Sequence, residues 1–113
     1  MSNYQVDLNA DLGEGAGYDD ELIPLLTSAN IACGFHAGNP HMMRAAVKHC
    51  VEHDVHIGAH PSFPDVWGFG RREMKCTRDE IVDYMLYQIG SLAAFCQAEG
   101  VKLYHVKPNG SIY

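Results

Sequence analysis

Four short runs of the chain alternate apolar and polar residues with a period of two, the signature of a strand, and stretches of helical periodicity separate them. In residues 4–14, Val6, Leu8 and Ala10 fall on one face, and Asp7, Asn9 and Asp11 on the other. In 30–36, the small or polar face of Asn30, Ala32, Gly34 and His36 opposes Ile31, Cys33 and Phe35. In 55–60, His56, Gly58 and His60 oppose Val55, Ile57 and Ala59; in 101–107, His105 and Lys107 continue the face of Val101 and Leu103. Each run turns polar toward its C-terminal end.

The segments between the runs predict helices. A short one covers about residues 20–26. Asn39-Pro40 supplies an N-cap and a first helical position, and Met43, Val47 and Cys50 then share one side up to about residue 53. Thr77-Arg-Asp-Glu80 has the form of a capping box, and Ile81, Tyr84, Met85, Gln88, Ile89, Leu92 and Phe95 repeat at helical spacing as far as Gly100. Strands joined by helices pair in parallel, so the chain is expected to form an α/β fold as a single domain over residues 1–113. In open sheets and barrels of this class, ligands bind at the C-terminal rim of the strands. Asp7, Asn9, Asp11, His36, His60, His105 and Lys107 should therefore converge there. Two carboxylates and an amide on one strand face would be costly in an ordinary core, which makes that face a polar cavity and a candidate active site.

Composition narrows the chemistry. The 113 residues are 47% hydrophobic and 19% charged with a net charge of -6, so no basic footprint for nucleic acid exists and a small-molecule site is expected. No stretch reaches the roughly 20 apolar residues of a membrane span, and the N-terminus has no basic segment followed by an apolar one, which predicts a cytoplasmic protein. Cys33, Cys50, Cys76 and Cys96 lack Cys-x-x-Cys spacing and read as reduced thiols, mostly buried. The glycine-rich loop at 13–17 either approaches an anion through its backbone or simply turns the chain. The long irregular segment between His60 and Thr77 carries Phe63, Trp67 and Phe69 beside Asp65, Arg71 and Arg72. It either closes over the site and supplies a cation, or is a flap held down by its aromatics with the arginines solvated.

Six motifs in this order, Val-Asp-Leu-Asn-Ala-Asp-Leu-Gly-Glu, Ser-Ala-Asn-Ile-Ala-Cys-Gly-Phe-His-Ala-Gly, Ile-Gly-Ala-His-Pro-Ser-Phe-Pro-Asp, Gly-Phe-Gly-Arg-Arg, Tyr-Gln-Ile-Gly and His-Val-Lys-Pro, closely resemble the LamB/YcsF family, which supplies the A subunit of bacterial ATP-dependent 5-oxoprolinase. The resemblance runs from about residue 4 to residue 113. It implies a parallel β/α barrel of the glycoside hydrolase and deacetylase type; members are usually about twice this length, so about four β-α units, a partial barrel, are represented. It also implies hydrolysis of 5-oxoproline to glutamate coupled to ATP hydrolysis, with ATP and Mg²⁺ as cofactors and subunits B and C as partners. Asn109 stands where relatives often carry a histidine.

A five-membered lactam is a poor electrophile, so opening it requires an activated carbonyl oxygen and a delivered water. Asp11 or His60 is the candidate general base, His105 the proton donor to the leaving nitrogen, and Lys107 or Arg72 the partner of a substrate carboxylate or phosphate. Asp7, Asn9, Glu14, Asn30 and His36 are candidates for binding substrate, nucleotide or its Mg²⁺. Two further readings stand beside this one. Asp7 or Asp11 with His36, His60 and His105 could hold one divalent ion in a metal-dependent amidohydrolase or deacetylase. Alternatively, the chain is an inactive scaffold that binds small acids or carbohydrate. Four strands of a barrel also leave open edges, so these 113 residues alone are expected either to associate into dimers or larger species or to form a marginal, aggregation-prone fold without 5-oxoprolinase activity.

Overall fold

A computed structural model describes residues 6–113, so the predicted opening of the first strand at residues 4 and 5 lies outside the described residues. Four strands, β1 (Asn9–Leu12), β2 (Ser28–Ala32), β3 (His56–His60) and β4 (His105–Val106), form one sheet in sequence order, and every neighbouring pair is parallel. Helices α1 (Asp19–Leu22), α2 (Pro40–Glu52) and α3 (Arg78–Ala98) supply the crossovers, α1 running on into a 3₁₀ turn at Ile23–Leu25. This is an α/β fold with the strand-helix alternation of a partial β/α barrel.

The helices begin where their capping chemistry dictates. Asn39 accepts the Met42 N–H through its side chain at 2.9 Å, with Pro40 at the first helical position of α2. At α3 both halves of the capping box form: Thr77 Oγ1 accepts from Glu80 N at 3.1 Å, and Glu80 Oε1 accepts from Thr77 N at 2.9 Å.

Strand parity sorts the side chains. Leu12, Ala29, Ile31, Ile57 and Ala59 point to the helix side, where Met43, Val47, Cys50, Leu92 and Cys96 complete a buried core. Asn9, Asp11, Ser28, Asn30, Gly58 and His105 take the other face, in the register Asn9↔Ser28, Asp11↔Asn30, Asn30↔Gly58 and Gly58↔His105. The fourth predicted run departs from this rule. Only His105 and Val106 are strand, so Val101 and Leu103 pack against the helix-side core while His105 and Lys107 serve the polar face. Parity is not transmitted through an irregular segment. At the other edge Val6 and Leu8, predicted as the apolar face of the first strand, are exposed.

The cysteines are unpaired, and three of them are buried. Burial pushes the Cys33 thiol up to about 11 and the Cys50 thiol up to about 12, so neither carries thiolate chemistry near neutral pH. No helix among the described residues is long and apolar enough to cross a membrane.

Candidate active site at the C-terminal rim

The polar face builds outward from Asn30, which is fully buried in the middle of β2. Its amide nitrogen donates to Asp11 Oδ1 at 2.9 Å and to Asn9 Oδ1 at 2.5 Å, while its Oδ1 accepts from His105 Nε2 at 2.6 Å and from Asn9 Nδ2 at 3.3 Å. One amide thus ties β1, β2 and β4 together. His105 reaches across β3 only because residue 58 is glycine: a β-carbon there would land in its ring. Burial holds the His105 imidazole below its ordinary pKa, with the His56 side chain acting in the same direction against the nearby Asp7 charge.

Above this layer lies a second one. Lys107 Nζ stands 3.2 Å from Asp11 Oδ1, and Asp11 Oδ2 lies 3.5 Å from His60 Nε2. Burial alone would raise the Asp11 pKa, but the Asn30 hydrogen bond, His60 and Lys107 outweigh it and hold the carboxyl below its ordinary value. His60 Nδ1 donates to the Lys107 carbonyl at 2.5 Å. Glu14 Oε2 is 2.7 Å from His36 Nε2 and 3.6 Å from His60 Nε2. The glycine-rich loop turns Glu14 into place, and its Gly13 N–H donates to Asp19 Oδ2 at 2.7 Å, so this amide is already matched to an internal carboxylate.

An open cavity of about 550 Å³ runs along the same face, lined by Asp7, Asn9, Thr27, Ser28, Asn30, His56, Tyr104, His105 and Lys107. The structure therefore brings Asp11, Glu14, Asn30, His36, His60, His105 and Lys107 together. Two expected members are placed elsewhere. Asp7 precedes β1 and accepts from Ser28 Oγ at 2.9 Å, at the amino end of the sheet and away from the rim. Arg72 is turned to the buried carboxylate of Asp65, which accepts from Arg72 Nε at 2.8 Å; this pairing replaces the expected cation over the site. The Arg72 guanidinium draws the Asp65 carboxyl down to about 2.

The long segment after His60 is a fixed wall. Gln88 of α3 clamps Ser62 from both sides, accepting from its N–H at 2.9 Å and donating to its carbonyl at 2.8 Å. Asn109, also buried, donates to the Phe69 carbonyl at 2.9 Å, and the Phe69 ring packs edge-on against His36 with centroids 5.0 Å apart. Trp67 is fully exposed instead of holding the wall down. Sequence reading missed the clamp because Gln88 sits on the apolar stripe of α3 without an obvious partner. It also missed Ser28, which the parity of Asn30 would have signalled had the strand been started two residues earlier.

A model of the LamB/YcsF family matches residues 6–113. The chain belongs to the LamB/YcsF family. It is 56% identical over 113 residues to the 5-oxoprolinase A subunit of Bacillus cereus (strain AH820), covering 96% of this chain and 45% of that one. It is 54% identical over 114 residues to the 5-oxoprolinase A subunit of Symbiobacterium thermophilum, with 96% and 44% covered. The crystal structure of the lactam utilization protein from Thermus thermophilus superimposes with a TM-score of 0.93 at 52% identity, over 97% of this chain and 47% of that one. This LamB/YcsF chain thus spans about half the length of the relatives it matches.

Proposed function

We propose that this chain works as part of the A subunit of an ATP-dependent 5-oxoprolinase, opening 5-oxo-L-proline to L-glutamate with ATP hydrolysis, in the cytoplasm and together with subunits B and C. The observation that carries the reading is the joining of Asp11, Asn30, His105 and Lys107 on the polar face of the sheet, along which an open cavity runs from the amino ends of the strands up to His105 and Lys107, in a chain so similar to A subunits of that name.

The residues suit ring opening of a lactam. Asp11, held ionised and partly exposed, accepts a proton from water. His105, lining the cavity, carries its Nε2 proton toward the Asn30 oxygen and serves as proton donor once substrate displaces that contact. Lys107 offers the ammonium for the substrate carboxylate or a phosphate oxygen, a role Arg72 cannot share while it pairs with Asp65. Asp7, Asn9 and Asn30 line the cavity in which substrate, or ATP with its Mg²⁺, is bound.

The test is glutamate release dependent on ATP and 5-oxoproline, measured with subunits B and C present, for this chain and for the same sequence joined to the remaining half of a relative. Turnover is expected in the joined form, and Asp11→Asn should lower it by about 100-fold or more with little change in melting temperature. Turnover without ATP would replace the reading with a simple amidohydrolase. Wild-type turnover by a folded Asp11→Asn variant would remove Asp11 from the chemistry.

A further inference from the structure

We propose that Glu14, His36 and His60 form a site for one divalent transition-metal ion of the zinc class, with Asp11 at its edge. Their ligand atoms arrive from three separate connections, the loop after β1, the segment after β2 and the end of β3, and all lie within 4.8 Å of one another. The expected alternative sets do not assemble: Asp7 and His105 stand outside this group.

The decisive observation is the orphaned Nε2 of His60. Among the described residues, the buried side-chain nitrogen and oxygen atoms without a hydrogen-bond partner are His36 Nδ1 and His60 Nε2. His60 is 1% exposed, and its Nδ1 faces the Lys107 carbonyl, which only accepts; the proton is therefore on Nδ1. The other ring nitrogen, Nε2, is buried between two carboxylate oxygens, Asp11 Oδ2 at 3.5 Å and Glu14 Oε2 at 3.6 Å, and hydrogen-bonds to neither. A buried polar nitrogen left without a partner is unfavourable. A second proton on the ring does not resolve it, because a charge-assisted N–H···O bond closes to about 2.7–2.9 Å. A cation between them does. Bonds of about 2.1 Å at tetrahedral angles set ligand atoms about 3.4 Å apart, close to both separations.

The chemistry of the donors selects the ion. Two imidazoles and a carboxylate favour zinc, cobalt, iron or manganese over magnesium or calcium. The Nδ1–H bond from His60 to a backbone carbonyl is the outer contact that fixes a ligating histidine in orientation and tautomer. His36 Nε2 lies 2.7 Å from Glu14 Oε2, and Phe69 packs edge-on against the His36 ring and fixes its place beside the other two ligands. An ion held by these three ligands keeps an open position and acidifies a water there.

Metal uptake is read without substrate, so its failure leaves the 5-oxoproline reading standing, and loss of that reading leaves the site standing. The full chain, stripped with chelator, is titrated with Co²⁺ by absorbance and with Zn²⁺ by calorimetry, and folding of each variant is checked by circular dichroism. One equivalent is expected, with visible bands of a four- or five-coordinate cobalt site; Glu14→Gln and His60→Gln should weaken binding by more than about tenfold. His53→Gln, at an exposed histidine on the end of α2, should bind as wild type. If a variant fails to fold, nitrogen NMR of the wild-type rings decides: Zn²⁺ should move His36 and His60 and leave the other histidines in place. A folded chain that takes up no Co²⁺, or shifts that ignore His60, overturns the proposal.

Discussion

Gly58 has no side chain, and the imidazole of His105 fills the space where a β-carbon would stand. That vacancy lets a residue of β4 cross β3 and bond to Asn30 on β2, so a glycine that does no chemistry positions a histidine that is proposed to. Gly58→Ala should push the ring toward the open cavity, break its bond to Asn30 and cost about 1–3 kcal/mol of stability. Because burial is what depresses the His105 pKa, the displaced ring should titrate closer to the ordinary value of 6.5. Carbon-detected NMR titration of the imidazoles checks this, and an unchanged His105 titration in a folded variant would show that residue 58 does not set its position. The parity of Asp11, Asn30 and His60 was legible in the sequence because alternation fixes a strand's faces whatever its partners. The places of Asp7 and Arg72 were not, since alternation does not say how far along the sheet a residue lies or which carboxylate captures a guanidinium.

At the scale of elements, boundaries with their own local chemistry were the legible ones. Asn39-Pro40 and the Thr77–Glu80 box each satisfy orphan N–H groups within four residues, so sequence alone suffices to place them. The wall after His60 was not legible, because its order rests on distant groups: Gln88 on α3 and Asn109 after β4. Its internal keystone is Asp65, whose Oδ1 accepts from Gly68 N at 2.8 Å as well as from Arg72. The Arg72 contact comes first among the causes that lower this carboxyl to about 2 from 3.8. A carboxyl depressed on folding stabilises the native state fully above its unfolded pKa and loses that contribution as pH falls through the folded one. Asp65→Asn should therefore melt below wild type at pH 6, with the gap closing between about pH 4 and pH 2. Thermal melts of the pair across that range test it, and a gap that stays constant would mean that the charge of Asp65 is irrelevant to the wall.

For the molecule as a whole, the sheet order β1-β2-β3-β4 gives two strands a neighbour on one side only among the described residues. Both margins carry apolar surface: Val6 is 73% exposed and Leu8 52% beside β1, while Tyr104 is 66% and Val106 43% exposed at β4. In the Thermus thermophilus protein the matching region is 47% of the chain, so there the matching fold is part of a longer chain. Unpaired strand margins flanked by apolar side chains are templates for further pairing. The 113 residues on their own should therefore associate, with the weight-average mass rising with concentration, and joining them to the second half of a relative should suppress that rise by supplying neighbours for β1 and β4. Sedimentation equilibrium at several loading concentrations distinguishes the outcomes. A cooperatively melting monomer at the highest concentration would show that the four-stranded unit closes its own margins, and the polar face would then have to be complete without any further wall.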